Sequence, residues 1–214
     1  MPSGAERCAN CFHHGCNGTG AGFSHPEAAW IGGNISIELC RRDTFPAIGL
    51  VSAYLHEVRG VPLDEAVAIC PTAPCVDADY FCAVLQLLRE AEREDAANLV
   101  LMGIGPTYPS EKYGYIIPIS QEIRSMVRSF KEKPDQETAA RYIGQGALWN
   151  SGIFAFKLGY TLEKSRELLD YADYENLFNR YEELSKTSFD YAVVEKEPSI
   201  SVQRYSGTWL DIGT

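Results

Sequence analysis

Cationic side chains are scarce in this sequence of 214 residues: 19 Lys and Arg stand against 29 Asp and Glu, a formal net charge of −10. Such a field repels a phosphate backbone, so nucleic acid is not an expected partner. A few lysines and helix N-termini could still hold a small anion together with Mg2+. Long apolar runs are missing too. No stretch approaches the ~18 residues of a membrane span, and the first residues lack the apolar core of a secretory leader. A cytoplasmic protein with no membrane partner is therefore expected. The familiar catalytic fingerprints are also absent. There is no P-loop with its Lys and Ser/Thr, no G-x-G-x-x-G after a strand, and no Ser-His-Asp or Cys-His arrangement. GTGAG at 18–22 is too loosely placed to serve as one, and no internal repeat or heptad run is present.

Cysteine, by contrast, is frequent. The seven residues form an odd set, and Cys40, Cys70 and Cys82 sit inside apolar patterns. Reduced thiols are expected rather than a disulfide framework. Cys8, Cys11 and Cys16 lie beside His13 and His14, but C-x2-C needs a second ligand pair at a distance to hold zinc, and only His25 is available. His56 reads as a surface or cap residue rather than a base.

Apolar residues make up 45% of the chain, enough for one folded domain or two small lobes. Residues 1–34, rich in Gly and Cys, follow neither the helical nor the strand period and read as an irregular segment. Residues 35–214 read as a domain. Ile35 to Leu39, Ala66 to Cys70 and Leu99 to Ile104 are strand candidates. Between them, Thr44 to Val58 is helical through Ile48, Val51, Leu55 and Val58, with Thr44 as cap and Pro46 in the first turn. A second helix begins at Asp77 and runs through Phe81, Val84, Leu88 and Ala91. Strand and helix in alternation predict a parallel sheet covered by helices. Further on, strands are expected at Tyr113 to Ile119, Met126 to Lys131, Ala147 to Lys157 and Ile200 to Tyr205. Helices are expected at Thr138 to Ile143, at Tyr160 to Leu184 with a break near Tyr171 to Tyr174, and at Ser188 to Val194.

Polar residues stand where several of these strands end, the place where ligands bind in α/β sheets. They are Glu132 and Lys133 before Pro134, Asn150 and Ser151 in WNSGIF, Asp190 with Glu195 and Lys196, and Asp211 between Trp209 and Gly213. Each could equally be a turn or cap residue. Asn150 stands out, because an amide inside an aromatic strand must find buried partners. Gly103, Gly105 and Gly114, with Pro106 and Pro109, punctuate a connection that suits either a close approach to a ligand or a plain crossover.

These residues coincide with a family pattern. ELCRRDTFPAIGLVSAYL (38–55), GIGPTYPSEKYGYI (103–116), FKEKPDQETAARYIGQGALWNSGIFAFK (130–157), SFDYAVVEK (188–196) and TWLDIG (208–213) follow one another in the family's order. From about Ile35 to Asp211 the chain resembles the nucleotidyltransferase domain of the mannose-1-phosphate guanylyltransferases, in particular the bacterial type II enzymes often fused to a mannose-6-phosphate isomerase. The resemblance implies a Rossmann-like nucleotide-diphospho-sugar transferase fold, α/β, with a mixed, mostly parallel sheet and helices on both faces. It implies transfer of a nucleotidyl group from GTP to mannose 1-phosphate, giving GDP-mannose and pyrophosphate, assisted by Mg2+ and without a protein nucleophile. Carried over by motif, Gly114 lies against the sugar nucleotide, Glu132 accepts from sugar hydroxyls, Asn150 fixes the sugar, and Asp190 and Lys196 support that pocket. Lys133 and Asp211 are the expected catalytic residues, Lys133 facing phosphate and Asp211 serving as a Mg2+ ligand.

The sequence also departs from the pattern. The family's opening strand and G-G-x-G-T-R phosphate loop have no counterpart, and its P-S-D-H metal segment reads PTAP here (Pro71, Thr72, Ala73, Pro74). Glu111 and Lys112 replace the Thr-Gly of the GYGY loop. The domain thus reads as a partial one, shortened at both ends and lacking the usual first strand, with turnover by this chain alone expected to be weak or absent. Two alternatives follow: a non-catalytic sugar-phosphate or sugar-nucleotide binding protein, and an interaction module whose sheet is completed by a partner strand or by oligomerisation.

Overall fold

The computed structural model describes residues 13–16, 35–71 and 74–211. The GTGAG run, Cys8, Cys11, His25, Thr72, Ala73 and Gly213 lie outside the described residues.

Two short strands, β1 (His13–Cys16) and β2 (Ile35–Glu38), pair in parallel as a separate ribbon. A strand within 1–34 differs from the irregular segment that the sequence led us to expect, since HHGC carries no two-residue alternation. After β2 come helix α1 (Thr44–Ala53), continued by a π-turn over Tyr54–Val58, and strands β3 (Ala66–Ile69) and β4 (Pro74–Val76). Helix α2 (Asp79–Ala91) leads to β5 (Leu99–Ile104), β6 (Tyr115–Pro118) and β7 (Arg124–Lys131). Then follow α3 (Gln136–Gly144), β8 (Leu148–Lys157), α4 (Leu158–Leu169), α5 (Tyr174–Asn179) and the short α6 (Phe189–Ala192). Strands β9 (Ile200–Tyr205) and β10 (Trp209–Asp211) close the chain's described part.

Among the described residues the main sheet has six strands, in the order β3-β8-β5-β9-β7-β6. β3, β5, β6 and β9 run one way and β7 and β8 run against them, so the sheet is mixed, with four of six strands codirectional. β6 also pairs with the start of β8, through Tyr115 with Trp149 and Ile116 with Leu148, which closes β8, β5, β9, β7 and β6 into a ring. β4 and β10 form a small antiparallel ribbon of their own.

Alternation of side chains explains the layers. In β5 every residue is buried, as a central strand covered on both faces requires. Leu99 and Leu101 join Phe45 and Ile48 of α1, Phe154 and Phe156 of β8, and Phe189 of α6 on one face. Val100, Met102 and Ile104 join Tyr80, Ala83 and Leu87 of α2 and Ala139 of α3 on the other. A third cluster fills the space between α1, α4 and α5 with Leu50, Ala53, Leu162, Leu177 and Tyr181. α1 is therefore sandwiched, with Gly49 pressed so closely on α4 that a Cβ there would lie 2.9 Å from Ser165 Cβ. Cys40, Cys70, Cys75 and Cys82 form no disulfide. Cys70 and Cys82 are exposed. For Cys82 the reason is that α2 turns Tyr80, Ala83, Leu87 and Ala91 inward, where the sequence pattern marks Phe81, Val84, Leu88 and Ala91.

Candidate functional site

The site grows out of an irregularity in β8. Between the pairs Leu101–Phe154 and Gly103–Asn150 the register slips, so β8 bulges over Ser151 to Ile153. Gly152, with φ of 76°, occupies the left-handed turn the bulge needs, where a side chain would be strained. The bulge fixes Asn150 from two sides. Its backbone N–H donates to Gly114 O at 2.8 Å, and its side-chain Oδ1 accepts from Gly152 N at 3.2 Å. The amide Nδ2 is then aimed at α6, where it donates to Asp190 Oδ1 at 2.6 Å. Asn150 is only 8% exposed, so these bonds answer the demand of a buried amide.

Glu132 stands beside this pair. Gly114 has room for nothing larger: a Cβ there would come within 2.7 Å of both Glu132 Oε2 and Phe130 Cζ. Lys133, whose φ of 42° places it in the left-handed region, sends Nζ to 3.2 Å from Glu132 Oε1. Glu132 N donates to Glu195 Oε1 at 2.9 Å, and Lys131 Nζ reaches the same oxygen at 3.1 Å, so Glu195 pins the turn that carries Glu132 and Lys133. Burial raises the Glu132 carboxyl above its ordinary range, against the pull of Lys133 and with the help of Glu195 and Asp43. Asp190 is pushed up to about 7, chiefly by burial and then by the Glu132 charge, with Asp43 adding to the push and Lys133 opposing it. At neutral pH Asp190 is thus divided between a proton donor and an acceptor.

The structure therefore gathers Gly114, Glu132, Lys133, Asn150 and Asp190. Lys196 is placed differently. Its Nζ lies 5.6 Å over the Tyr191 ring, and it lines a cleft of ≈ 380 Å³ with Phe45, Leu169, Thr187 and Tyr191. Asp211 stands in β10 opposite Pro74 of β4. An aromatic stack runs from that ribbon toward Asn150: Trp209 on Tyr113 at 5.7 Å, and Tyr113 on Trp149 at 4.8 Å. Among the described residues no group of three or more His, Cys, Asp or Glu side chains could hold a metal ion unaided. The Asp211 carboxylate suits an ion that takes one or two protein oxygens and completes its shell with substrate phosphates and water, as Mg2+ commonly does. Asp43, whose charge acts on both carboxyls, reads from sequence as an ordinary residue ahead of a helix.

Fold and site together define a class. The profile of the Nucleotidyl transferase family matches residues 34–214, and the chain belongs to that family. Within it, the chain is similar to mannose-1-phosphate guanylyltransferases. The enzyme of that name from Escherichia coli K12 is 33% identical over 207 residues, covering 85% of this chain and 42% of the relative. Mannose-1-phosphate guanylyltransferase 2 of Escherichia coli O157:H7 is 29% identical over 212 residues, covering 86% and 43%. A crystal structure described as mannose-1-phosphate geranyltransferase of Thermus thermophilus superposes with a TM-score of 0.70 at 28% identity, covering 87% of this chain and 57% of that one. The chain thus spans about two fifths of the length of these curated relatives.

Proposed function

We propose that this chain carries the sugar side of a mannose-1-phosphate guanylyltransferase type of site. In that reaction a phosphate oxygen of mannose 1-phosphate attacks the α-phosphorus of GTP, the P–O bond to the β-phosphate breaks, and pyrophosphate leaves with the bonding pair. The observation that supports it most directly is the hydrogen-bonded pair Asn150–Asp190 beside Glu132, packed on a glycine. Carboxylate oxygens at Glu132 and Asp190 accept from sugar hydroxyls, Asn150 holds Asp190 in place, and Gly114, against whose backbone Glu132 packs, lies against the sugar nucleotide. Lys133, more than half exposed, is free to swing from Glu132 to a phosphate. Lys196 supports the neighbouring α6 wall through Tyr191. Asp211 would hold Mg2+, which when bound neutralises charge on the transferring phosphate. We place the protein in the cytoplasm, where GTP and sugar phosphates are made.

A second reading is favoured by the sequence from Pro71 to Pro74, which offers no carboxylate to join Asp211. On that reading the chain binds a sugar phosphate or sugar nucleotide without turnover. A third uses β3, the strand that ends the main sheet among the described residues, as the edge on which a partner's strand or a second copy completes the sheet. The deciding assay is pyrophosphate release from GTP, Mg2+ and mannose 1-phosphate. The guanylyltransferase reading expects release that Asp211→Ala abolishes. Heat of GDP-mannose binding without release selects the binding protein, and neither signal from a soluble monomer overturns both.

A further inference from the structure

Helix α6 is one turn long, yet it has to present Asp190 to Asn150 and Glu132. A helix this short has no intrinsic stability, so its position must come from neighbours. Ser188 caps it from its own side, accepting from Tyr191 N at 3.2 Å. The rest comes from the first residues of α1 and from Arg42 just ahead of it. Phe189 N donates to Thr44 Oγ1 at 2.8 Å, Phe45 N donates to Thr187 O at 3.1 Å, and Thr187 N donates to Arg42 O at 3.3 Å. These bonds staple 42–45 to 187–189 across more than 140 positions of sequence. Thr44 is not spent on capping its own helix; Asp43 takes that place, accepting from Thr44 N at 2.7 Å. To do so Asp43 adopts φ 68° and ψ -175°. A non-glycine residue keeps such a conformation only where the surroundings impose it.

We propose that the Asp43–Thr44 pair is a positioning part of the sugar-side site: Thr44 fixes the α6 turn that presents Asp190, and Asp43, the cap of α1, holds Thr44 in place. Glu132 and the Asp190 so presented make the pocket acceptor-rich, suited to the hydroxyl donors of a sugar ring and repellent to its phosphate end, which is left to Lys133. This inference rests on the sugar-side reading of the pocket for its ligand but not for its geometry. The charged groups that act on Asp190 are Glu132 and Lys133 from the turn after β7 and Asp43 from the cap of α1, with Asn150 from β8 as the neutral partner. Glu195 and Lys131 act on Glu132.

The test uses the full 214-residue chain. The Asp190 carboxyl carbon is followed by NMR from pH 4 to 9 in wild type, Asp43→Asn, Thr44→Val and Thr44→Ser, with circular dichroism verifying the fold. Removing the Asp43 charge is expected to lower the Asp190 midpoint by ~0.3 unit or more. Thr44→Val, which lets the α6 turn open to water, should lower it too, and Thr44→Ser should restore it. Unchanged midpoints in folded Asp43→Asn and Thr44→Val overturn the proposal. In parallel, calorimetry with mannose 1-phosphate should show affinity falling about three- to tenfold in Thr44→Val and recovering in Thr44→Ser. If Asn150→Ala leaves mannose 1-phosphate binding unchanged, the sugar-side reading fails, while the NMR midpoints still decide the role of Asp43 and Thr44.

Discussion

Asp190 shows how far a single residue's environment decides its chemistry. Its sequence marks it as a polar candidate that could equally be a turn or cap residue; burial, and then the Glu132 charge, push its carboxyl to about 7. The consequence for stability has a definite sign. A carboxyl whose pKa is raised in the folded state binds its proton more tightly there. Its contribution therefore declines as pH climbs from the ordinary value of 3.8 to about 7 and is level beyond. Asp190→Asn is expected to raise the thermal midpoint at pH 8 while changing it little at pH 4, measured by calorimetric unfolding at both values. Asn150 makes the complementary case. Its burial in an aromatic strand was readable, because an amide there must be paired; the identity of the partner, 40 positions away, was not. Gly114→Ala is expected to displace Glu132 and Phe130, destabilising the fold by about 1–3 kcal/mol in denaturant titration and weakening sugar binding.

At the level of elements, most strands and helices were legible because their apolar periods are long. β9 spans Ile200–Tyr205, the range its alternation marks. The α2 stripe was displaced except at Ala91, since Phe81 outranks Tyr80 on hydrophobicity alone. Tyr80 nevertheless turns inward against Tyr205, at 5.9 Å between centroids, and Phe81 is left 66% exposed. The cap of α1 also moved, from Thr44 to Asp43, because Thr44 Oγ1 is engaged by Phe189 N, a long-range bond no local pattern announces. The strands β4 and β10 were not legible: each is three residues long and held by pairing with the other. The β8 bulge was half legible, as glycine in a strand pattern marks one. Gly152→Ala forces alanine into φ of 76°. It is expected to cost about 1–2 kcal/mol in chemical denaturation and to loosen Asn150.

The whole molecule binds its site to its core. Phe189, fully buried, touches the rings of Phe45, Phe154 and Phe156 with centroids at 6.3, 5.1 and 5.9 Å. Asp190 follows it in the chain, so packing beneath the sheet and polar geometry at its rim are one structure. Phe189→Ala should cost about 3–5 kcal/mol of stability by denaturant unfolding, with sugar-side binding lost even where the fold survives. The closed ring of β8, β5, β9, β7 and β6 brings Gly114, Glu132 and Asn150 together from segments that the sequence keeps apart. Linear patterning could mark each as standing at a strand end, and only the family pattern could join them. The most direct measurement is titration calorimetry of mannose 1-phosphate into the purified chain and its Asn150→Ala and Glu132→Gln variants. Saturable binding by the wild type, weakened about tenfold or more by each substitution, is the expected result. Equal binding by all three proteins, or none by the folded wild type, would contradict a sugar pocket built on Asn150, Asp190 and Glu132.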